Sequence, residues 1–285
     1  AETAEIYVDH TIPSEKMYHQ IQKNISRKQI KRICFRVAAI LIPVIFLIGL
    51  YLQINSRVDL FGTTEYEEIR VAKGERIQMM FQDGTRVYIN SDSWLKYPKK
   101  FGLSKREVFL VGEAYFVVAK NKKRPFIVNL NGPSVHVLGT SFDVQAYPEN
   151  KDIVICLDEG HVNLTLSSAK EYPLLPGEKL IYNKESDQCR IIKNDHSKQV
   201  SMWKDNVISF KDTPLAEVVK VLNRWYNVNF KIEDEQASKY VYTLTSDNTI
   251  LEKVLQDLEK IAAVKFEYDE VRKEVTVRMK QDGKK

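Results

Sequence analysis

Residues 37–54 read VAAILIPVIFLIGLYLQI and contain no charge. As a helix rising about 1.5 Å per residue, this run reaches roughly 27 Å, close to the about 30 Å of a bilayer's hydrocarbon layer. A core helix of a soluble protein keeps a polar face, and this run has none. Pro43 is tolerated inside a membrane helix, and Tyr51 and Gln53 suit an interface. Lys23, Arg27, Lys28, Lys31, Arg32 and Arg36 precede the run, whereas Arg57, Asp59, Glu65, Glu67 and Glu68 follow it. By the positive-inside rule, residues 1–36 are cytoplasmic and the chain from residue 55 lies outside the cytoplasm. A cleaved signal peptide is the rival reading, but a long polar stretch precedes the run and no small-residue cleavage motif follows it. The sequence predicts a single-pass anchor.

Composition narrows the function classes. With 28% charged residues the chain is ordinary for a folded protein. Its net charge is a modest +5, with several positives packed just before the apolar run instead of spread over a folded face, which argues against direct nucleic-acid binding. Cys34, Cys156 and Cys189 lack metal-ligand spacing. A Cys156–Cys189 pair in an oxidising compartment competes with two buried thiols.

Beyond the anchor, residues 55–67 read as a tether. Residues 68–197 carry closely spaced strand signals broken by turns, with Asp83-Gly84 between RIQMMF and RVYIN as the clearest hairpin. This predicts an all-β domain, a β-sandwich or a short β-solenoid. In residues 201–281 a repeat emerges: TPLAEVVKVLNRWYNVNF from Thr213 matches TILEKVLQDLEKIAAVKF from Thr249 without a gap. Each copy predicts an N-cap threonine, a helix and a Val-x-Phe strand. Pro214 fills the first helical position of the first copy, and Thr249 with Glu252 forms a capping box in the second. Strand-like NVISF and YVYTLT precede the copies, so the region reads as a small α+β domain with a duplicated β-α-β unit.

No constellation for chemistry stands out. The strand-like VFLVGEAYFVV places Gly112 and Glu113 mid-run, but no second carboxylate at a readable spacing completes an acid–base pair. His136 lies mid-strand and His161 in a turn. No nucleophile elbow, zincin or phosphate-loop pattern occurs, and no cofactor or metal site is expected. Trp203, Arg224, Trp225 and Tyr226 are the candidates for partner contacts, being residue types that dominate interfaces. The competing reading buries at least one of Trp225 and Tyr226, because Leu222 and Trp225 continue the apolar stripe.

Taken together, FQDGTRVYINSDSWLKYPKKF, REVFLVGEAYFVV, RPFIV, VHVLGTSFDVQAY and EGHVNLT resemble, in order and spacing, the FecR family of anti-sigma factors. The tail with LNRWYNV resembles the C-terminal domain of FecR proteins from Bacteroidetes, itself similar to the secretin/TonB short N-terminal module. The resemblance implies signalling from the bacterial inner membrane. A TonB-dependent receptor's signalling domain would bind on the periplasmic side, and an extracytoplasmic-function (ECF) sigma factor on the cytoplasmic side. It also implies that Asp83, Gly84, Thr85, Gly112, Glu113, Phe116, Gly139, Thr140, Phe142 and Gly160 are signature residues of the fold. Some relatives cut themselves at a Gly-Thr bond, so Gly139-Thr140 is the matching candidate, with the Thr140 hydroxyl attacking the preceding carbonyl; a plain structural turn is the alternative. The cytoplasmic region is shorter than the family's usual several helices, and predicts one amphipathic helix with Met17, Ile21, Ile25 and Lys28 on one side. The competing class is an anchored envelope protein that is structural or binds carbohydrate.

Overall fold

The structure is a computed structural model that describes residues 14–57, 65–193, 201–247 and 250–280. It divides into two units, residues 1–56 and 57–285. In the first unit one helix, α1 (Ser14–Arg57), runs through the charge-free stretch without interruption at Pro43. Its segment Ile30–Ile54 is long and apolar enough to cross a membrane, with a mean hydropathy of 2.6 and none of it buried against protein. That is compatible with a single-pass anchor. Met17 and Ile21 are both exposed on its N-terminal part; the side chains of Ile25 and Lys28, like tether residues 58–64, lie outside the described residues.

The second unit begins with thirteen strands in one hydrogen-bonded system. The first seven are β1 (Tyr66–Val71), β2 (Ile77–Met80), β3 (Arg86–Ile89), β4 (Ser93–Pro98), β5 (Arg106–Val117), β6 (Phe126–Asn129) and β7 (Ser134–Val137). Then follow β8 (Ser141–Ala146), β9 (Asp152–Glu159), β10 (Val162–Thr165), β11 (Glu171–Leu174), β12 (Lys179–Asn183) and β13 (Gln188–Ile192). The twelve residues of β5 organise them. Its first half pairs with β4 and β6; from Gly112 onward it pairs with β8 and β3. Two half-sheets therefore share one strand and fold onto a single apolar core. The core takes Leu95, Leu110 and Phe126 from one half, and Ile89, Phe116 and Phe142 from the other. Phe116 and Phe142 stack with centroids 5.3 Å apart.

Neither Cys156 nor Cys189 forms a disulfide. Strand β12 lies between β9 and β13, which carry them. Two inter-strand steps of about 4.8 Å exceed the about 4.4–6.8 Å Cα spacing a disulfide spans, so the pairing considered from sequence is excluded.

The C-terminal region holds β14 (Ile208–Pro214), α2 (Leu215–Tyr226), β15 (Asn229–Ile232), β16 (Val241–Ser246), α3 (Leu251–Ile261), β17 (Val264–Asp269) and β18 (Glu274–Met279). β14 pairs with β16, while β18 lies between β15 and β17. The helical spacing predicted from sequence places Leu215, Val218, Val219, Leu222 and Trp225 of α2 in the core, and Leu251, Val254, Leu255 and Leu258 of α3 beside them. Asn227 ends α2 in the left-handed conformation that asparagine tolerates.

The expected cap at Thr213 is not formed. Strand β14 runs on through Thr213, which pairs with Tyr242, and Pro214 occupies the N-cap position without a side-chain cap. The Thr213 hydroxyl instead bonds the Lys211 main chain across a bulge. Thr249, the other expected cap, lies outside the described residues.

Candidate functional site

Gly112 is where β5 changes partners, and the reason glycine is required there is a close approach. At φ +103, a Cβ would sit 2.3 Å from Ser93 Oγ and 2.7 Å from Ser93 Cα. The same Ser93 hydroxyl accepts a 2.9 Å bond from the Glu113 main-chain N–H. The bend turns Glu113 into the interior, where it is 5% exposed. There Asn90 Nδ2 donates to Glu113 Oε2 at 2.7 Å. Tyr147 donates its phenol proton to the Ser91 carbonyl at 2.8 Å, with its oxygen 3.4 Å from the same Glu113 oxygen.

A second carboxylate shares this face. In the β5–β8 register, Glu113 is opposite Gln145 and Tyr115 opposite Asp143, so Glu113 and Asp143 are diagonal neighbours. Asp143 is 1% exposed and accepts a 3.0 Å bond from the Trp203 indole N–H. Burial pushes the Asp143 carboxyl well above its ordinary range, and the neighbouring Glu113 charge adds to the effect. Burial also raises Glu113, although the Asn90 amide and the Arg224 charge pull it partly back.

The C-terminal region closes over this pair. Arg224 of α2 lays its guanidinium 3.8 Å from the Tyr147 ring centroid and bonds Glu149 at 2.9 Å. Its carbonyl takes the Gly74 N–H at 2.8 Å, and Lys73 reaches Asn223 at 2.7 Å, so the β1–β2 turn holds the C-terminal end of α2. The Arg76 guanidinium lies 3.9 Å from the Trp225 ring. Nearby, Tyr115 donates to Asp158 at 2.9 Å, and the Lys204 ammonium lies 5.0 Å from the Tyr115 ring. The cluster can hold protons and charge across a seam between two parts of the chain.

Of the residues singled out from sequence, the structure gathers Glu113, Trp203 and Arg224 here. Trp203, Arg224 and Trp225 are all buried within the chain, and Tyr226 is half-buried. Three of the four expected partner contacts are thus engaged in internal packing. Asp83, Gly84 and Thr85 form a separate hairpin, in which Thr85 bonds Asp83 and the buried Arg106 bonds Asp83 at 2.7 Å. Gly139, Thr140 and Gly160 form a third locus. The Thr140 hydroxyl donates to the His161 carbonyl at 2.8 Å, and Cβ atoms at Gly139 or Gly160 would clash with Lys120 or with Thr140. Sequence reasoning passed over Asn90, Asp143 and Tyr147. A carboxylate between Phe142 and Val144 was the available signal for Asp143, of the same kind that drew attention to Glu113. No group of three or more potential metal ligands occurs among the described residues.

The fold is that of a family of regulators. The family model described as FecR protein matches residues 67–163, and that described as FecR, C-terminal, matches residues 207–277. Two crystal structures, at 1.65 Å and 2.50 Å, of a protein from Parabacteroides distasonis ATCC 8503 assigned as an anti-sigma factor are similar to this chain. Each is 29% identical with a TM-score of 0.69, covering 75% of this chain and 99% of that one. No curated protein matches. The chain belongs to the FecR family of anti-sigma factors.

Proposed function

We propose that this chain is anchored once in the bacterial inner membrane and relays a signal from an outer-membrane TonB-dependent receptor to a cytoplasmic ECF sigma factor. The observation that carries the reading is that both FecR models match one side of the candidate span found among the described residues, with basic residues crowding the other. Residues 1–36 would hold the sigma factor and residues 57–285 would face the periplasm. We read the two strand-helix-strand runs of the C-terminal region as a duplicated unit that pairs with the receptor's similar module. Among the described residues, β15 and β17 each have a free outer edge. Main-chain bonds along such an edge supply affinity without withdrawing Trp203, Arg224 or Trp225 from the interior.

The carbohydrate-binding alternative needs aromatic rings in a groove. The roughly 750 Å³ groove of the β domain is lined by no Phe, Tyr or Trp, and in a smaller groove Phe81 and Phe101 are buried in the core. Purified residues 55–285, mixed with the isolated signalling domain of such a receptor, are expected to form a complex in the micromolar range. Absence of binding at high micromolar concentration would count against the relay.

A further inference from the structure

The larger groove of the β domain falls within the range of about 300–1,000 Å³ typical of ligand clefts. It runs over β7, β10 and β11, where His136, Asn163 and Pro173 are cross-strand neighbours. Continuing that register brings Leu138, His161 and Leu175 to one end, beside Lys120 and Lys122 of the loop after β5. Glu171 lies two residues along β11 from Pro173, about 7 Å in the opposite direction. The groove is therefore apolar along its length and basic at one end.

Four further observations bear on an occupant. Leu138 and Leu175 are 46% and 54% exposed, an apolar surface without cover. Asn163 donates Nδ2 to Glu171 at 2.8 Å, which leaves its buried Oδ1 without a donor. The outer edge of β11 has no partner strand among the described residues. Lys120 is available as well, because its 4.0 Å pair with Glu159 joins side chains that are 84% and 74% exposed, a solvent-screened contact.

We propose that this groove binds a short, extended apolar peptide segment with a carboxylate at the Lys120–Lys122–His161 end. Apolar side chains cover Leu138 and Leu175, the carboxylate answers the ammonium groups, and main-chain N–H groups of the extended segment pair along the open edge of β11. A fatty acid matches the first two features but has no N–H to offer. The site is separate from the β15 and β17 edges proposed for the receptor, so the two readings fail independently.

The test uses residues 57–285, a compact unit by itself and comparable in extent to the crystallised relative. A fluorescein-labelled pentapeptide of leucine and valine, free at its C-terminus, is titrated by anisotropy. Saturable binding is expected, with the C-terminal amide about tenfold weaker. Lys120→Glu with Lys122→Glu, and separately Leu138→Asp with Leu175→Asp, are each expected to weaken binding by about tenfold. The acid–amide comparison needs no folded variant. No saturation by about 1 mM, or equal affinity for acid and amide, overturns the proposal. Unchanged affinity in variants with native circular dichroism does the same. Laurate binding in place of the peptide makes the groove a fatty-acid site and also overturns it.

Discussion

Replacing Arg224 with alanine tests whether the seam is held as described. Arg224 is only 6% exposed, so its stem is buried as well as its charge. Loss of its methylenes from the interior costs about 2 kcal/mol. The cation on the Tyr147 ring, which is itself 1% exposed, contributes about 2 kcal/mol more. The ion pair to Glu149 is half-exposed and adds about 0.5 kcal/mol. Side-chain freedom regained on truncation offsets about 2 kcal/mol, leaving a net loss of about 2–3 kcal/mol. Urea unfolding read by tryptophan emission is the assay, because Trp203 and Trp225 both lie in the C-terminal region. With a urea slope of about 2–3 kcal/mol per molar, the midpoint falls by about 1 M. Arg224→Lys falls between, since lysine keeps the charge but not the planar stack. The loss also grows from pH 5 to pH 8, because the Glu113–Asp143 pair gains charge for Arg224 to offset as pH rises. A loss under about 0.5 kcal/mol, or one independent of pH, would refute the reasoning.

Other expectations follow from the same geometry. Asp143→Asn keeps an acceptor for Trp203 but removes a carboxyl whose folded-state pKa is raised. Such a group favours the folded state below its unfolded pKa, near 4, and loses that contribution as pH rises towards its folded pKa. The variant is therefore expected to gain on wild type from pH 5 to pH 8 in urea midpoints, and an equal difference at both would contradict the assignment. Gly112→Ala forces a Cβ against Ser93 and is expected to cost at least about 3 kcal/mol in thermal unfolding. Ser93→Ala does not rescue it, because Ser93 Cα is itself in the way. Thr140→Ala loses about 1 kcal/mol with its hydrogen bond and leaves the electrophoretic pattern unchanged. Two wild-type fragments replaced by one full-length band in the variant would instead establish cleavage at Gly139-Thr140.

What could be read from the sequence was mostly what is local. An uncharged run, a helical stripe and an Asp-Gly hairpin each declare themselves within a few turns of chain. The apolar stripe of α2 was legible for that reason, down to Leu222 and Trp225. The contact of its last turn with the β domain, made by Arg224 on Tyr147 and Glu149, was not, because amphipathicity gives an apolar face but not what the residues beside that face meet. Trp203 and Arg224 looked like partner contacts on residue type alone, which does not distinguish a partner from another part of the same chain. Asp143 and Tyr147 gain their meaning from strand pairings and contacts with Glu113 and Trp203, across 30 to 60 residues. Thr213 misled because a bulge at Asp212, with φ +48, carries β14 past the expected cap.

Strand β5 belongs to both half-sheets at once, and this bears on how the domain comes apart. Neither half can peel away while the other keeps its edge, since separating them means tearing the strand they have in common. Unfolding one half thus strips β5 of its pairings on that side of Gly112 and opens the core that both halves enclose.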